Sequence, residues 1–82
     1  MLLLATYPSS HQALRAERAL LAAGQAVELI PVPRQVRSNC GFCLLAEVAD
    51  GGERLRATGA EGLWLALEPE PGHVRRSYEP YP

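Results

Sequence analysis

Leu29-Ile-Pro-Val-Pro-Arg34-Gln-Val-Arg37-Ser-Asn-Cys40-Gly41-Phe-Cys43 is the stretch around which the other segments arrange themselves. It holds both cysteines of the 82-residue chain, together with Pro31, Pro33, Arg34 and Arg37. Proline fixes its own φ and drives the preceding residue into extended conformations. Leu29 to Pro33 therefore reads as the end of a strand running into a stiff arm. Ser38 and Asn39 are turn formers, and Gly41 admits backbone angles closed to other residues. From Phe42 to Val48 the pattern alternates, which marks the next strand. A strand, a rigid arm, a cysteine turn and a second strand thus follow one another directly.

Working backward, Leu2-Leu-Leu-Ala-Thr6 is an unbroken apolar run, suited to a central strand buried on both faces. Tyr7-Pro8 ends it. Ser9 is a helix N-cap with Gln12 at the capping-box position, and Gly24 suits the C-terminal cap. On that helix Ala13, Leu14, Ala16, Leu20 and Leu21 share one face, and Glu17 falls in its middle. Two readings of Glu17 stand open. It sits at the helix edge and snorkels or pairs with an arginine, or it points to the Cys40 loop and meets Arg34. His11, in the first turn, reads as a solvent-exposed imidazole, with a base beside the thiol as the alternative. Ala26 to Ile30 supplies the second strand, and a strand–helix–strand unit of this length implies a parallel crossover.

Working forward, Asp50-Gly51-Gly52 is a turn, and Glu53 to Ala57 reads as a short hairpin strand. Thr58-Gly-Ala-Glu61 forms a second capping box, and Ala60, Leu63, Trp64 and Leu67 fall at helical spacing. A helix over 59–68 is expected, although Leu63, Leu65 and Leu67 also fit a strand. Residues 73–78 are read as the last strand and 79–82 as an extended tail. The order β-α-β-β-α-β over a single domain, residues 1–82, gives an α+β, ferredoxin-like split βαβ sandwich, with an extra short hairpin after the third strand.

Composition narrows the function classes. A net charge of −1 gives no basic surface for nucleic acid. The opening Met1-Leu-Leu-Leu-Ala5 has no basic flank and is too short for a signal or membrane span. Two closely spaced cysteines do not make a secreted disulfide framework, so a soluble cytoplasmic chain is expected. No cofactor and no metal are called for by any motif.

Cys40 is the candidate reactive group. A thiol attacks as thiolate, and nearby cations or unpaired backbone N–H groups favour that form. Arg34 and Arg37 are close in sequence, and Ser38, Asn39 and Gly41 shape the turn, so an exposed thiol is expected. Cys43 completes a C-x-x-C with Cys40, the spacing of a redox dithiol or half a metal site. In an extended strand, however, positions three apart lie about 10 Å from each other on opposite faces. A disulfide needs Cα atoms within about 7 Å. Cys43 therefore reads as a core residue of the third strand, with a resolving thiol or ligand as the alternative.

Tyr7-Pro-Ser-Ser10 before a helix carrying Ala16-Glu17, then Leu29-Ile-Pro-Val-Pro-Arg34 and Ser38-Asn-Cys40-Gly41, resemble the small bacterial selenium/sulfur carrier-like family. There the segment reads as a Pro-x-Pro-Arg arm followed by a Ser-Ser-Cys-Gly turn; here Asn39 replaces the second serine. The similarity covers about the first half of the chain. It implies a ferredoxin-like fold and a carrier cysteine at Cys40, holding sulfur or selenium as a persulfide or selenosulfide. Arg34, Arg37, Ser38, Asn39, Gly41 and Glu17 would surround the adduct, and donor and acceptor enzymes would be its partners. Self-association into a homo-oligomer is compatible with this. Two alternatives stay open: a dithiol redox protein using Cys40 and Cys43, and a structural or metal-binding module using Cys40, Cys43 and His11.

Overall fold

The computed structural model describes residues 1–38 and 40–82. Its elements run β1 (Leu2–Thr6), α1 (Ser10–Ala22), β2 (Glu28–Pro31), β3 (Phe42–Glu47), α2 (Glu53–Ala57), β4 (Gly62–Leu67) and β5 (Ser77–Tyr81). The strands form one antiparallel sheet in the order β2-β3-β1-β4-β5. β1 is flanked by β3 and β4, so the apolar opening run is central. Leu3, Leu4 and Ala5 are fully buried, as expected for a strand covered on both faces. β1 and β2 are both antiparallel to β3, which lies between them, so they run parallel without touching.

Local signals account for α1. Ser9 is its N-cap, and its Oγ accepts from the Gln12 backbone N–H at 3.2 Å. The Gln12 side chain contacts the Ser9 hydroxyl at 3.1 Å rather than the Ser9 backbone, so the expected box closes side chain to side chain. At the other end Gly24 has φ of +85°, with Gln25 N–H bonded to Leu20 C=O and Gly24 N–H to Leu21 C=O. That pairing closes the helix through a left-handed glycine. The face toward the sheet is Ala13, Ala16 and Leu20. Leu14 and Leu21, expected there too, are 42% and 51% exposed. Small side chains bring the helix axis close to the sheet and leave the neighbouring leucines outside.

Three expectations for the C-terminal half are corrected. Glu53 to Ala57 is a short helix, not a hairpin strand. Gly52 precedes it at φ of +84°, its N–H held by Asp50 Oδ1 at 2.9 Å. A Cβ on Gly52 would come within 2.9 Å of Leu3 and 3.0 Å of Leu63, so both backbone and packing require glycine. Thr58 then ends α2, its hydroxyl donating to Leu55 C=O at 2.8 Å, instead of starting a new helix. Second, the helix expected over 59–68 is β4. Leu63 and Leu65 pack with the helix-side core, while Trp64 packs on the other face. Pairing with the open side of β1 selected the alternating period over the expected helical one. Third, the last strand falls at Ser77–Tyr81, so Glu79, Pro80 and Tyr81 are strand residues. Pro80 is tolerated because β5 is an edge strand, as is β2 with Pro31. Both edges are thereby blunted against further pairing. The α+β class is as expected, a small chain with one antiparallel sheet and two helices; the five-stranded order β2-β3-β1-β4-β5 departs from the four-stranded ferredoxin-like arrangement expected.

Two cores result. Under the helices lie Leu3, Ala5, Tyr7, Ala13, Ala16, Leu20, Leu44, Ala46, Leu55 and Leu63. On the face without helices, Leu4, Cys43 and Val36 are buried, with Ile30, Val32, Leu45, Trp64 and Tyr78 around them. The cover on that face comes from the loop after β2. Val36 N–H bonds Pro33 C=O at 3.0 Å, a tight turn that lays Val36 down at 4% exposure. The arm expected to project instead folds onto the sheet, because Leu4 and Cys43 would otherwise face water.

Candidate functional site at Cys40

The β2–β3 connection is a hairpin whose last rung is Val32 N–H to Gly41 C=O, 3.2 Å. Cys40 sits at the base of its loop, where Ser38 Oγ accepts from the Cys40 backbone N–H at 3.1 Å. The Cys40 side chain turns toward α1. Its Sγ lies 3.6 Å from Ser10 Oγ, donates to Phe42 C=O at 2.8 Å and accepts from Phe42 N–H at 3.4 Å. Ser10 is the first residue of α1, so the sulfur stands beside the positive end of a thirteen-residue helix whose first turn carries no carboxylate. A hydroxyl, a backbone N–H and a backbone carbonyl thus contact the sulfur at the start of this helix.

Exposure is a correction. Cys40 is 5% exposed and belongs to the helix-side core; it is not presented on an open turn. Gly41 is exposed, and its φ lies outside the left-handed region. A Cβ there would meet only Ser10 Oγ, at 3.8 Å, so the backbone freedom expected of this glycine is not used. Phe42, whose backbone N–H and C=O both contact the thiol, is 42% exposed. Asn39 lies outside the described residues.

Among the described residues no hydrogen bond joins a charged candidate to the sulfur. Arg34 and Arg37 are exposed, and among the described residues neither makes an ion pair or hydrogen bond. Arg34 instead lines a cleft with Arg75 and Arg76, far along the chain. Glu17 is half-buried, with no ion pair to Arg34 or any other described residue. Two turns of helix, about 10 Å, separate it from Ser10, so the pairing expected near the Cys40 loop is not made. His11 is exposed, as its plainer reading had it.

Cys43 is fully buried in β3 on the face opposite Cys40, its thiol directed at Ile30 and Pro31 C=O at 3.6 and 3.9 Å. Both thiols are free. Burial, with a smaller contribution from the nearby Cys40, pushes the Cys43 thiol from 9.0 up to about 12. At neutral pH it is a protonated core side chain. Among the described residues no three His, Cys, Asp or Glu side chains group as metal ligands.

Sequence reasoning missed two contributors. Ser10 was overshadowed by its neighbour Ser9, the cap; a hydroxyl at the first helical position was the available signal. Tyr7 is fully buried beneath the β1–α1 junction. The Thr58 hydroxyl hydrogen is committed to Leu55 C=O, so Tyr7 O–H donates to Thr58 Oγ1, 2.9 Å. Burial raises the Tyr7 pKa, and the bond to Thr58 offsets part of this. The tether fixes the turn that presents Ser10 to Cys40.

A family model described as "Putative Se/S carrier protein-like" matches residues 2–63, from β1 through the start of β4. The chain belongs to the Se/S carrier protein-like family. The match spans the Cys40 turn, α1 and the whole arm. No curated protein and no solved structure matches the chain. Among the described residues no helix is long and apolar enough to cross a membrane.

Proposed function

We propose that this Se/S carrier-like chain holds a sulfane sulfur, or selenium, on Cys40 and passes it to a partner enzyme. The observation that carries this reading is the Cys40 sulfur set against the Phe42 N–H and against Ser10, the first residue of α1. In loading, the Cys40 thiolate attacks the outer sulfur of a persulfide on a donor enzyme. The donor S–S bond breaks, the donor thiolate leaves, and a Cys40 persulfide forms; unloading is the same exchange toward an acceptor thiolate. No net oxidation occurs and no cofactor is consumed. The terminal sulfur of a persulfide is anionic, and the same hydroxyl and N–H would stabilise it. Burial of Cys40 suits storage, since a shielded sulfane sulfur is kept from stray thiols. Transfer then needs Cys40 to become accessible, with the exposed Phe42 as an apolar contact for the partner. A reducing cytoplasm is the compartment in which both thiols stay free.

The test is loading by a cysteine desulfurase and cysteine, read by intact mass without reductant. Wild type and Cys43→Ala should gain one sulfur atom, and Cys40→Ser should gain none. Absence of an adduct on wild type when the desulfurase is given either cysteine or selenocysteine refutes the carrier reading.

A further inference from the structure

The sheet face away from the helices carries a second polar feature, remote from the Cys40 sulfur in its contacts. Two adjoining clefts, about 520 and 390 Å3, share Gln35, Arg75 and Arg76. Arg34 from the β2–β3 loop and Arg75 and Arg76 from the segment before β5 line the smaller one with Pro33 and Tyr78. The two segments are tied by Gln35 Nε2, which donates to Arg76 C=O at 3.3 Å. Three of the chain's eight cationic residues thus meet in one place.

Their donors are largely unused. Arg76 Nη1 is buried and has no hydrogen-bond partner, although Glu68 Oε1 stands 3.4 Å away. That ion pair is held by distance alone, with the Glu68 carboxylate 86% exposed. Among the described residues Arg34 and Arg75 pair with no carboxylate. A buried donor left unmade costs free energy that an incoming acceptor would recover. Glu70 lines the larger cleft and takes up part of the charge. Three guanidiniums against Glu68 and Glu70 leave a net positive charge and a set of forked donors whose geometry matches phosphate oxygens.

We propose that this cleft binds a small organic phosphate ester. The phosphate would take the guanidinium donors of Arg34, Arg75 and Arg76. The organic part would lie in the larger cleft, whose volume falls in the range of small-molecule sites, against Gly72, His73 and Val74. The proposal does not depend on the chemistry at Cys40.

The experiment is titration of the full chain, at low ionic strength, with AMP, adenosine and inorganic phosphate, followed by amide chemical shifts. AMP should saturate below about 1 mM, with shifts at Gln35, Arg75 and Arg76, and inorganic phosphate more weakly at the same residues. Arg76→Gln and Arg34→Gln should each weaken AMP at least tenfold, while Arg18→Gln on α1 and Cys40→Ser should not change it. Raising salt should weaken the binding. Adenosine binding as tightly as AMP would overturn the phosphate assignment. No saturation up to about 10 mM, or equal weakening by Arg18→Gln, would overturn the site.

Discussion

Val36→Ala tests whether the arm between β2 and β3 is a structural cover for Cys43. Val36 is 4% exposed and packs with Leu4 and the fully buried Cys43. The substitution removes two buried carbons, about 0.8 kcal/mol each. With a share of cavity cost the loss comes to about 2 kcal/mol. The same energy stabilises the closed arm, so the arm should open more often by the same factor. At about 1.4 kcal/mol per tenfold, that is an increase of roughly 30-fold in the open population. The assay is alkylation of Cys43 in a Cys40→Ser background at mildly alkaline pH, alongside urea unfolding. Labelling should speed up by up to that factor, and the unfolding midpoint should fall. An unchanged midpoint with unchanged labelling would show that Val36 is not packed on the sheet. A lower midpoint with unchanged labelling would show that the arm is not the gate to Cys43.

The other predictions concern turns, pH and the thiol itself. Gly52→Ala should destabilise by about 2–4 kcal/mol in urea unfolding, combining left-handed backbone strain with collision against Leu3 and Leu63. Gly41→Ala should change stability by less than about 1 kcal/mol, because its Cβ has room; any loss of sulfur loading then reports access to Cys40. The folded-state pKa of Cys43 lies above its unfolded value, so its contribution to stability is complete below pH 9.0 and is lost as pH rises toward about 12. Alkaline unfolding followed by circular dichroism should show this decline, and Cys43→Ala should flatten it. Ser10→Ala removes a hydroxyl 3.6 Å from the sulfur and should slow alkylation of Cys40 while leaving the far-ultraviolet spectrum unchanged.

What the sequence determined alone was what local rules govern. The apolar run of β1, the Ser9 cap, the Gly24 terminus and the alternation of β3 each rest on residues adjacent in the chain. The arm-and-turn motif carried the family, and the alternation around Cys43 placed that residue in a strand facing away from Cys40. The tertiary structure decided everything that depends on burial against distant partners. Residues 62–67 fit helix and strand alike, and pairing to β1 made them β4. Leu55 turned 53–57 into a helix because its one large apolar side chain is fully buried there. The arm lies down, rather than projecting, because Leu4 and Cys43 needed an apolar cover that only Val36 and its neighbours supply. Arg34 was close to Cys40 in sequence, yet folding brought it to Arg75 and Arg76 instead. Proximity along a chain sets which groups can meet cheaply; the faces of a sheet set which ones do.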